Sequence, residues 1–396
     1  MKLLTISNCP LLEYQGSGYI IVNFYRELER LGHEIDVFGP DDYEILPALR
    51  PRGNYYRKVA GMAALAVQKI QQHRYDIIEF YGAESWFAVS VIRALDQSRT
   101  LQDKRPLLIS HSNGIETHMT EVMAHYKDLL EKDPWDQPRP YQFLKGIMNR
   151  INRREWAFSR VDALVVNSAY DLEFVKQQSY VDPDHVYLVE NPLPDFYLGQ
   201  EGVEFSRPPV IGYCGSWIGR KGIHILKSDI PQILQEFPQA RFALIGVGSD
   251  FVVTEHFPAP VIAQIEVIPY LEDKEDLKKM YHRLSILVTP SIYESFGLVI
   301  AEAMSCGCAV IASATGFAWG LKDQEEIFLL PTPTSPHLYT ALKALLTQEE
   351  LRVKLAQKGY QRVQSLQWAS SAQALSQVYA QWVKDYQNPH NSHKVK

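Results

Sequence analysis

The segment ILVTPSIYESFGLVIAEAMSCGCAVIAS, residues 286–313, decides how this chain is read. It opens on a short apolar run, Ile286 to Val288, bounded by Pro290, which reads as a buried strand. Ser291 to Phe296 form a turn, and Gly297 follows. From Leu298 to Met304 the pattern is helical, and Gly307 is a stop signal. Ala309 to Ala312 is the next strand. The unit is strand, turn, helix, strand, and it carries two carboxylates. Glu294 sits in the turn at the strand's carboxyl end, and Glu302 lies about one turn into the helix.

This placement has a chemical consequence. Backbone N–H groups around Gly297, Leu298 and Val299 have no partner within the helix. An anion, typically a phosphate, is favoured there. Gly297 has no side chain to hold a ligand off. A carboxylate to each side accepts hydrogen bonds from vicinal hydroxyls. The segment therefore suits a sugar diphosphate. For either glutamate alone, an ordinary capping role in a crossover is the plainer reading; the whole string outweighs it.

The string Glu294-Ser-Phe-Gly-Leu-Val-Ile-Ala-Glu302-Ala-Met-Ser-Cys-Gly resembles the E-x7-E signature of retaining glycosyltransferases of the GT-B fold, family 4. Ser305 replaces the family's alanine and Ala309 its proline. The resemblance implies that Glu302 holds the donor's ribose and that Glu294 contacts the donor sugar. It also implies retention of anomeric configuration, a nucleotide-diphosphate sugar donor (UDP-, GDP- or ADP-linked) and no metal or other cofactor. The acceptor would be a glycan, a lipid or a small molecule.

The rest of the chain is consistent with two such halves. Its 396 residues suggest two or three domains, and 46% apolar with 22% charged residues is ordinary globular composition. A net charge of −6 argues against general nucleic-acid binding. No apolar run reaches the ~18 residues that span a bilayer. The opening MKLLTISNCP reads as a first strand, not a leader. Cys9, Cys214, Cys306 and Cys308 read as reduced thiols of a cytoplasmic protein.

In the first half, Leu3 to Ile6 is a strand. Gly16-Ser17-Gly18 precedes apolar residues at helical spacing, from Ile20 to Leu31, and Ile35 to Phe38 is the second strand. Glycines at such a junction suit a phosphate or sugar, so Gly16 and Gly18 are donor-site candidates. Ile21 occupies the third glycine position, so the dinucleotide fingerprint is incomplete. Leu107 to Ser110 is a strand that delivers His111 to the carboxyl end of the sheet, where ligands gather. Family members often carry a histidine there, so His111 is expected beside the donor sugar. His33 reads as a turn residue. Met119–Tyr141 reads as an insertion over the cleft. The helix carrying Arg150, Arg153, Arg154 and Arg160 is either a crossover with solvated charges, the favoured reading, or a peripheral contact with the inner membrane face. Asp182-Pro183-Asp184 reads as a turn rather than a metal site.

In the second half, Val210 to Cys214 is a strand followed by Gly215-Ser-Trp-Ile-Gly-Arg220-Lys221-Gly222. Two fixed cations can stabilise the charge that develops on a departing diphosphate. This loop is similar to the family's G-R-x-x-x-x-K-G loop, with Lys221 in the lysine place and Ser216 where arginine is usual. Arg220 is expected to supply the missing charge. Phe317 and Trp319, where the family has a glycine pair and a glutamate, suggest a reshaped pocket. Trp368 matches the family's tryptophan before the last helix.

The expected fold is α/β, with two doubly wound Rossmann-like domains facing a central cleft and a C-terminal helix crossing back to the first domain. The boundaries are 1–195 for an acceptor-side domain, 196–209 for a linker and 210–368 for a nucleotide-sugar domain. Residues 369–388 form the returning helix and 389–396 a disordered tail. The expected catalytic residues are Glu294, His111, Lys221 and Arg220. The donor would contact Gly16, Gly18, Ser216, Arg220, Lys221, Glu294, Phe296, Gly297, Leu298, Val299 and Glu302. Two other activities fit the same signals: a sugar-nucleotide epimerase, and a binding module without catalysis.

Overall fold

A computed structural model describes residues 1–13, 16–45, 51–98, 105–130 and 153–387. Among the described residues, twelve strands form two six-stranded sheets, ordered β2-β1-β3-β4-β5-β6 and β12-β11-β10-β7-β8-β9. Every pairing in both sheets is parallel. In the first sheet β1 (Lys2–Ile6) lies between β2 (Glu34–Phe38) and β3 (Ile77–Phe80). Next come β4 (Leu107–His111), β5 (Ala163–Val166) and β6 (Val186–Leu188). In the second, β7 (Val210–Cys214) lies between β8 (Arg241–Ile245) and β10 (Ile286–Thr289). The sheet is completed by β9 (Ile265–Ile268), β11 (Ala309–Ser313) and β12 (Phe328–Leu330).

The central strands β3, β4, β5, β10 and β11 are buried at every position. A parallel sheet is covered on both faces by its crossover helices, so its strands are continuous apolar runs without alternation. That is why runs such as Ile286 to Val288 are legible as strands. Each sheet reverses its order of winding once, between β1 and β3 in the first and between β7 and β10 in the second. Crevices open at the carboxyl ends of strands flanking such a reversal.

Trp368–Gln387 is the returning helix. Its Leu375, Tyr379 and Trp382 pack into the first lobe with Leu3, Ile20, Phe24, Ile77 and Ile109. The Trp368 ring meets Phe24 edge-on, with centroids 5.1 Å apart. The Tyr379 hydroxyl donates to the buried Glu79 carboxylate. The 196–209 segment does more than connect. Tyr197 is fully buried, and Arg207 donates to the backbone oxygens of Tyr281, His282 and Leu284 at 2.7–3.2 Å.

Part of the expected cleft insertion, most of the basic helix including Arg150, and the tail lie outside the described residues. The described part of 119–141 continues the helix Glu116–His125. Arg153 and Arg160 both stack on Trp156, at 5.2 and 3.4 Å from the ring centre. Asp182 caps a single turn by accepting from the Asp184 N–H at 3.0 Å. Among the described residues, no helix is long and apolar enough to cross a membrane.

Candidate functional site

A cavity of about 350 Å³ lies between the lobes. The first lobe contributes Asn8 and Cys9 after β1, Gly82 after β3, and Asn113 to Glu116 after β4. The second contributes Arg220 after β7 and Tyr293 to Ser295 after β10. These positions follow the carboxyl ends of strands, and both reversals of winding open onto it.

On the second-lobe side, β7 and β10 deliver their loops side by side. Gly222 has φ +76°, and a Cβ there would stand 2.0 Å from the Pro290 carbonyl oxygen. Only glycine permits this approach. The Arg220 carbonyl accepts from Ile292 N–H at 2.8 Å, and the Arg220 guanidinium donates to the Tyr293 carbonyl at 2.8 Å. Lys221 Nζ then reaches Glu294 Oε1 at 2.5 Å, and Ser291 Oγ donates to the same oxygen at 2.7 Å. Arg220 stands 3.9 Å from Glu294 Oε2. Burial alone would raise the Glu294 pKa. The charges of Lys221 and Arg220, with the Lys221 and Ser291 hydrogen bonds, overcome it and hold the carboxyl below its ordinary value.

Gly297 begins the helix Leu298–Ser305 with φ +87°, and no side chain caps that first turn. The Glu294 side chain lies against Gly297, its Cγ 3.6 Å from where a Cβ would stand. Arg220, Lys221, Glu294 and the helix start at Gly297 are therefore one cluster. Thr315, just after β11, braces it, with Oγ1 accepting from the Glu294 N–H at 3.0 Å.

Glu302 is buried one turn along. It accepts from the Tyr281 hydroxyl at 3.0 Å and faces Lys274 Nζ at 4.0 Å. Burial raises its pKa, against the pull of Lys274 and Tyr281. Lys274 also lies over the Tyr19 ring of the first lobe, 4.1 Å from its centre, so the two lobes meet beside Glu302. Leu298 and Val299 are half-buried and pack into the second-lobe core.

Other expected site residues are placed elsewhere. His111 is 1% exposed and points into the first sheet. Its Nδ1 lies 2.8 Å from Glu79 Oε1 and 2.8 Å from the Tyr81 hydroxyl, and its ring stacks on Tyr81. Both of these partners are on Nδ1 and lie in the first lobe, so the ring is fixed within the first-lobe core. Gly18 is buried inside the first helix, where a Cβ would meet the Pro10 carbonyl oxygen at 2.2 Å. Its bareness serves packing; its neighbour Ser17 lines the cavity. Gly16, at φ +53°, is exposed at the helix start. Ser216 is exposed, and its carbonyl accepts from the Tyr213 hydroxyl at 2.7 Å. Phe296 is core, with its ring 5.0 Å from Phe317. Phe317 is likewise buried and does not line the cavity, while Trp319 packs on Tyr170 across the lobes, 5.2 Å apart.

Sequence reasoning missed the contact that joins the lobes at this site. The Tyr293 hydroxyl lies 3.1 and 3.3 Å from the two carboxylate oxygens of Asp171, which is fully buried. Asp171 also pairs with His118 Nδ1 at 2.7 Å, and the His118 ring stacks on Phe174. Close by, a Cβ on Gly114 would lie 2.8 Å from Ser295 Cβ. Nothing local in the sequence links 171 to 293. Asn113 and Glu116 were also missed, although the strand-end rule that singled out His111 covers them. Among the described residues, no group of three or more His, Cys, Asp or Glu side chains is placed to hold a metal.

Comparisons with known proteins agree with this fold. A family model described as Glycosyltransferase Family 4 matches residues 14–195, and one described as Glycosyl transferases group 1 matches residues 199–362. A D-inositol 3-phosphate glycosyltransferase of Corynebacterium efficiens is 28% identical over 240 residues, covering 56% of each chain. The chain spans about half the length of the curated relatives it matches. Among solved structures, sucrose-phosphate synthase from Thermosynechococcus elongatus aligns with a TM-score of 0.69 at 18% identity, covering 96% of this chain and 99% of that one. Anabaena Alr3699/HepE, solved with UDP-glucose, aligns with a TM-score of 0.64 at 17% identity, covering 96% and 100%. These two likenesses establish the GT-B fold. With one family model on each lobe, the chain belongs to the family 4 glycosyltransferases.

Proposed function

We propose that this protein transfers a glycosyl group from a nucleotide-diphosphate sugar to an acceptor hydroxyl, with retention of anomeric configuration and without a metal. The observation that carries the reading is the Arg220, Lys221 and Glu294 cluster beside the uncapped helix start at Gly297. One Lys221 N–H is engaged by Glu294, which leaves donors on the same ammonium for a phosphate. Arg220 adds a second fixed cation at the cavity wall. Together they supply the charge that a bound divalent ion would otherwise bring. In the step, the acceptor oxygen bonds to the anomeric carbon as that carbon's bond to the diphosphate breaks. The acceptor proton passes to the departing phosphate oxygen. Glu294 orients sugar hydroxyls, and Glu302 takes the ribose diol.

The base and sugar of the donor are narrowed by analogy alone; UDP and UDP-glucose occupy the Anabaena neighbour. The four unpaired cysteines support a reducing, cytoplasmic setting. The test is a thermal-shift panel of UDP-, GDP- and ADP-sugars, followed by donor hydrolysis for wild type, Glu294→Ala and Lys221→Ala. Both substitutions should abolish most hydrolysis; unchanged turnover in both would overturn the assignment. Conversion of the sugar with donor alone would favour the epimerase. Nucleotide binding without turnover on any acceptor would favour the binding module.

A further inference from the structure

The cavity has a second wall, on the first lobe, apart from the Arg220, Lys221 and Glu294 cluster. Facing Arg220 and Glu294, the segment after β4 brings Asn113 and Glu116 to its lining. Glu116 Oε1 accepts from the Ala83 N–H at 3.0 Å, which fixes the carboxylate. Its Oε2 atom is buried and has no hydrogen-bond partner. Neither has Asn113 Nδ2, also buried. Orphaned buried polar atoms are rare in folded proteins and require a reason. Here an acceptor and a donor are left over in one segment, on one wall of one cavity.

We propose that Asn113 and Glu116 form the acceptor subsite and that it takes a hydroxyl of a neutral polyol or sugar rather than a phosphorylated acceptor. The inference rests on the glycosyltransferase reading above. A hydroxyl donates to Glu116 Oε2 and a neighbouring one accepts from Asn113 Nδ2, so both orphans are satisfied by a vicinal diol. A phosphate dianion would bring negative charge to a carboxylate that already has another close by. Glu84 lies next to Ala83, and its Oε2 accepts from Asn8 Nδ2 at 2.9 Å. Burial first, then the charge of Glu84, push the Glu116 pKa up to about 7, against the Ala83 N–H and the Arg154 charge. The first-lobe wall therefore repels added negative charge, while the cations of the cluster stand opposite and serve the diphosphate. Gly114 and Ser295 in contact close one end, which leaves room for a small hydroxyl-bearing group.

The experiment uses the full-length protein loaded with whichever of UDP, GDP or ADP gives the largest thermal shift. Saturation-transfer NMR then compares myo-inositol and methyl α-glucoside with inositol 3-phosphate and glucose 6-phosphate, on wild type, Glu116→Gln and Asn113→Ala. Transfer from the matching nucleotide sugar is measured on the same compounds. The expected result is binding and transfer for a neutral compound. Acceptor KM should rise by about tenfold or more in either variant, as for loss of a charge-assisted or buried hydrogen bond. Nucleotide affinity should stay within about twofold, which shows that the variants fold. A preference for the phosphorylated compounds, or neutral-compound binding that neither variant weakens, overturns the proposal, as does silence from the neutral compounds. Failure of every nucleotide to bind would instead defeat the donor reading, a separate outcome seen before any acceptor is added.

Discussion

Replacing Lys221 by methionine isolates the charge pair at the centre of the site. Methionine keeps much of the apolar stem and removes only the ammonium. Glu294 has a side chain 10% exposed, and its shortest contact is Lys221 Nζ at 2.5 Å. Breaking a buried ion pair from one side costs about 3–5 kcal/mol, because the remaining charge is left uncompensated. Ser291 at 2.7 Å and Arg220 at 3.9 Å remain, so the expected loss lies lower, at about 2–3 kcal/mol. Adding Glu294→Gln removes the stranded charge and should return most of that stability, a coupling of about 2 kcal/mol in a double-mutant cycle. Turnover should not return. Both single variants and the pair should hydrolyse donor at least about 100-fold more slowly, the scale for losing one charge-stabilising group. The pH dependence has a definite sign. In wild type the Glu294 pKa is depressed, so its contribution is present above the unfolded value of 4.5 and is lost as pH falls through the folded pKa. Without Lys221, burial dominates and the folded pKa rises. The deficit of the variant is therefore largest near neutrality and shrinks toward pH 4.5 and below. Urea melts at pH 7.5 and pH 4.5, with hydrolysis assays at pH 7.5, supply every term. Coupling below about 0.5 kcal/mol would refute the reasoning, since non-interacting sites add to within that range.

Further outcomes follow from other contacts. Gly222→Ala places a Cβ 2.0 Å from the Pro290 carbonyl at φ +76° and should shift Lys221 from its place; nucleotide affinity should fall by about tenfold or more in calorimetry. Tyr293→Phe removes the hydroxyl that joins Asp171 across the lobes, and it should cost about 1–3 kcal/mol in denaturant melts because a buried carboxylate loses a partner. Glu116 has a raised pKa of about 7, so its burial destabilises the fold increasingly as pH climbs from 4.5 through 7. Glu116→Gln should be more stable than wild type at pH 8 and no more stable at pH 4.5, read as the difference in melting temperature.

The central strands were legible because each is buried on both faces and its apolar run needs no partner to be recognised. The E-x7-E string and Lys221 were legible because their chemistry depends on spacing within one turn or one loop. His111 was not. Its environment is set by Glu79 on the next strand and by Tyr379, 300 residues beyond Glu79, and no local pattern records that. Phe317 misled for a related reason: an aromatic in a loop reads alike whether it lines a pocket or, as here, meets Phe296 in the core. The Asp171–Tyr293 contact spans 122 residues and both lobes, so only the folded chain reveals it. Asn113 and Glu116 were within reach, since strand β4 aims all of residues 111–116 toward the crevice end of the sheet. The histidine drew attention because it resembled the family's pattern.

The returning helix has a consequence for synthesis. A ribosome releases the first lobe long before it makes Trp368 to Trp382, yet Leu3, Ile20, Phe24 and Ile109 are covered by those residues. Until the last stretch emerges, the nascent first lobe carries a bare apolar face, and Glu79 lacks its Tyr379 partner. A message cut just before residue 368 would yield both sheets but leave that first-lobe face unfinished and sticky, so quality control can sense the missing helix from a patch laid down much earlier.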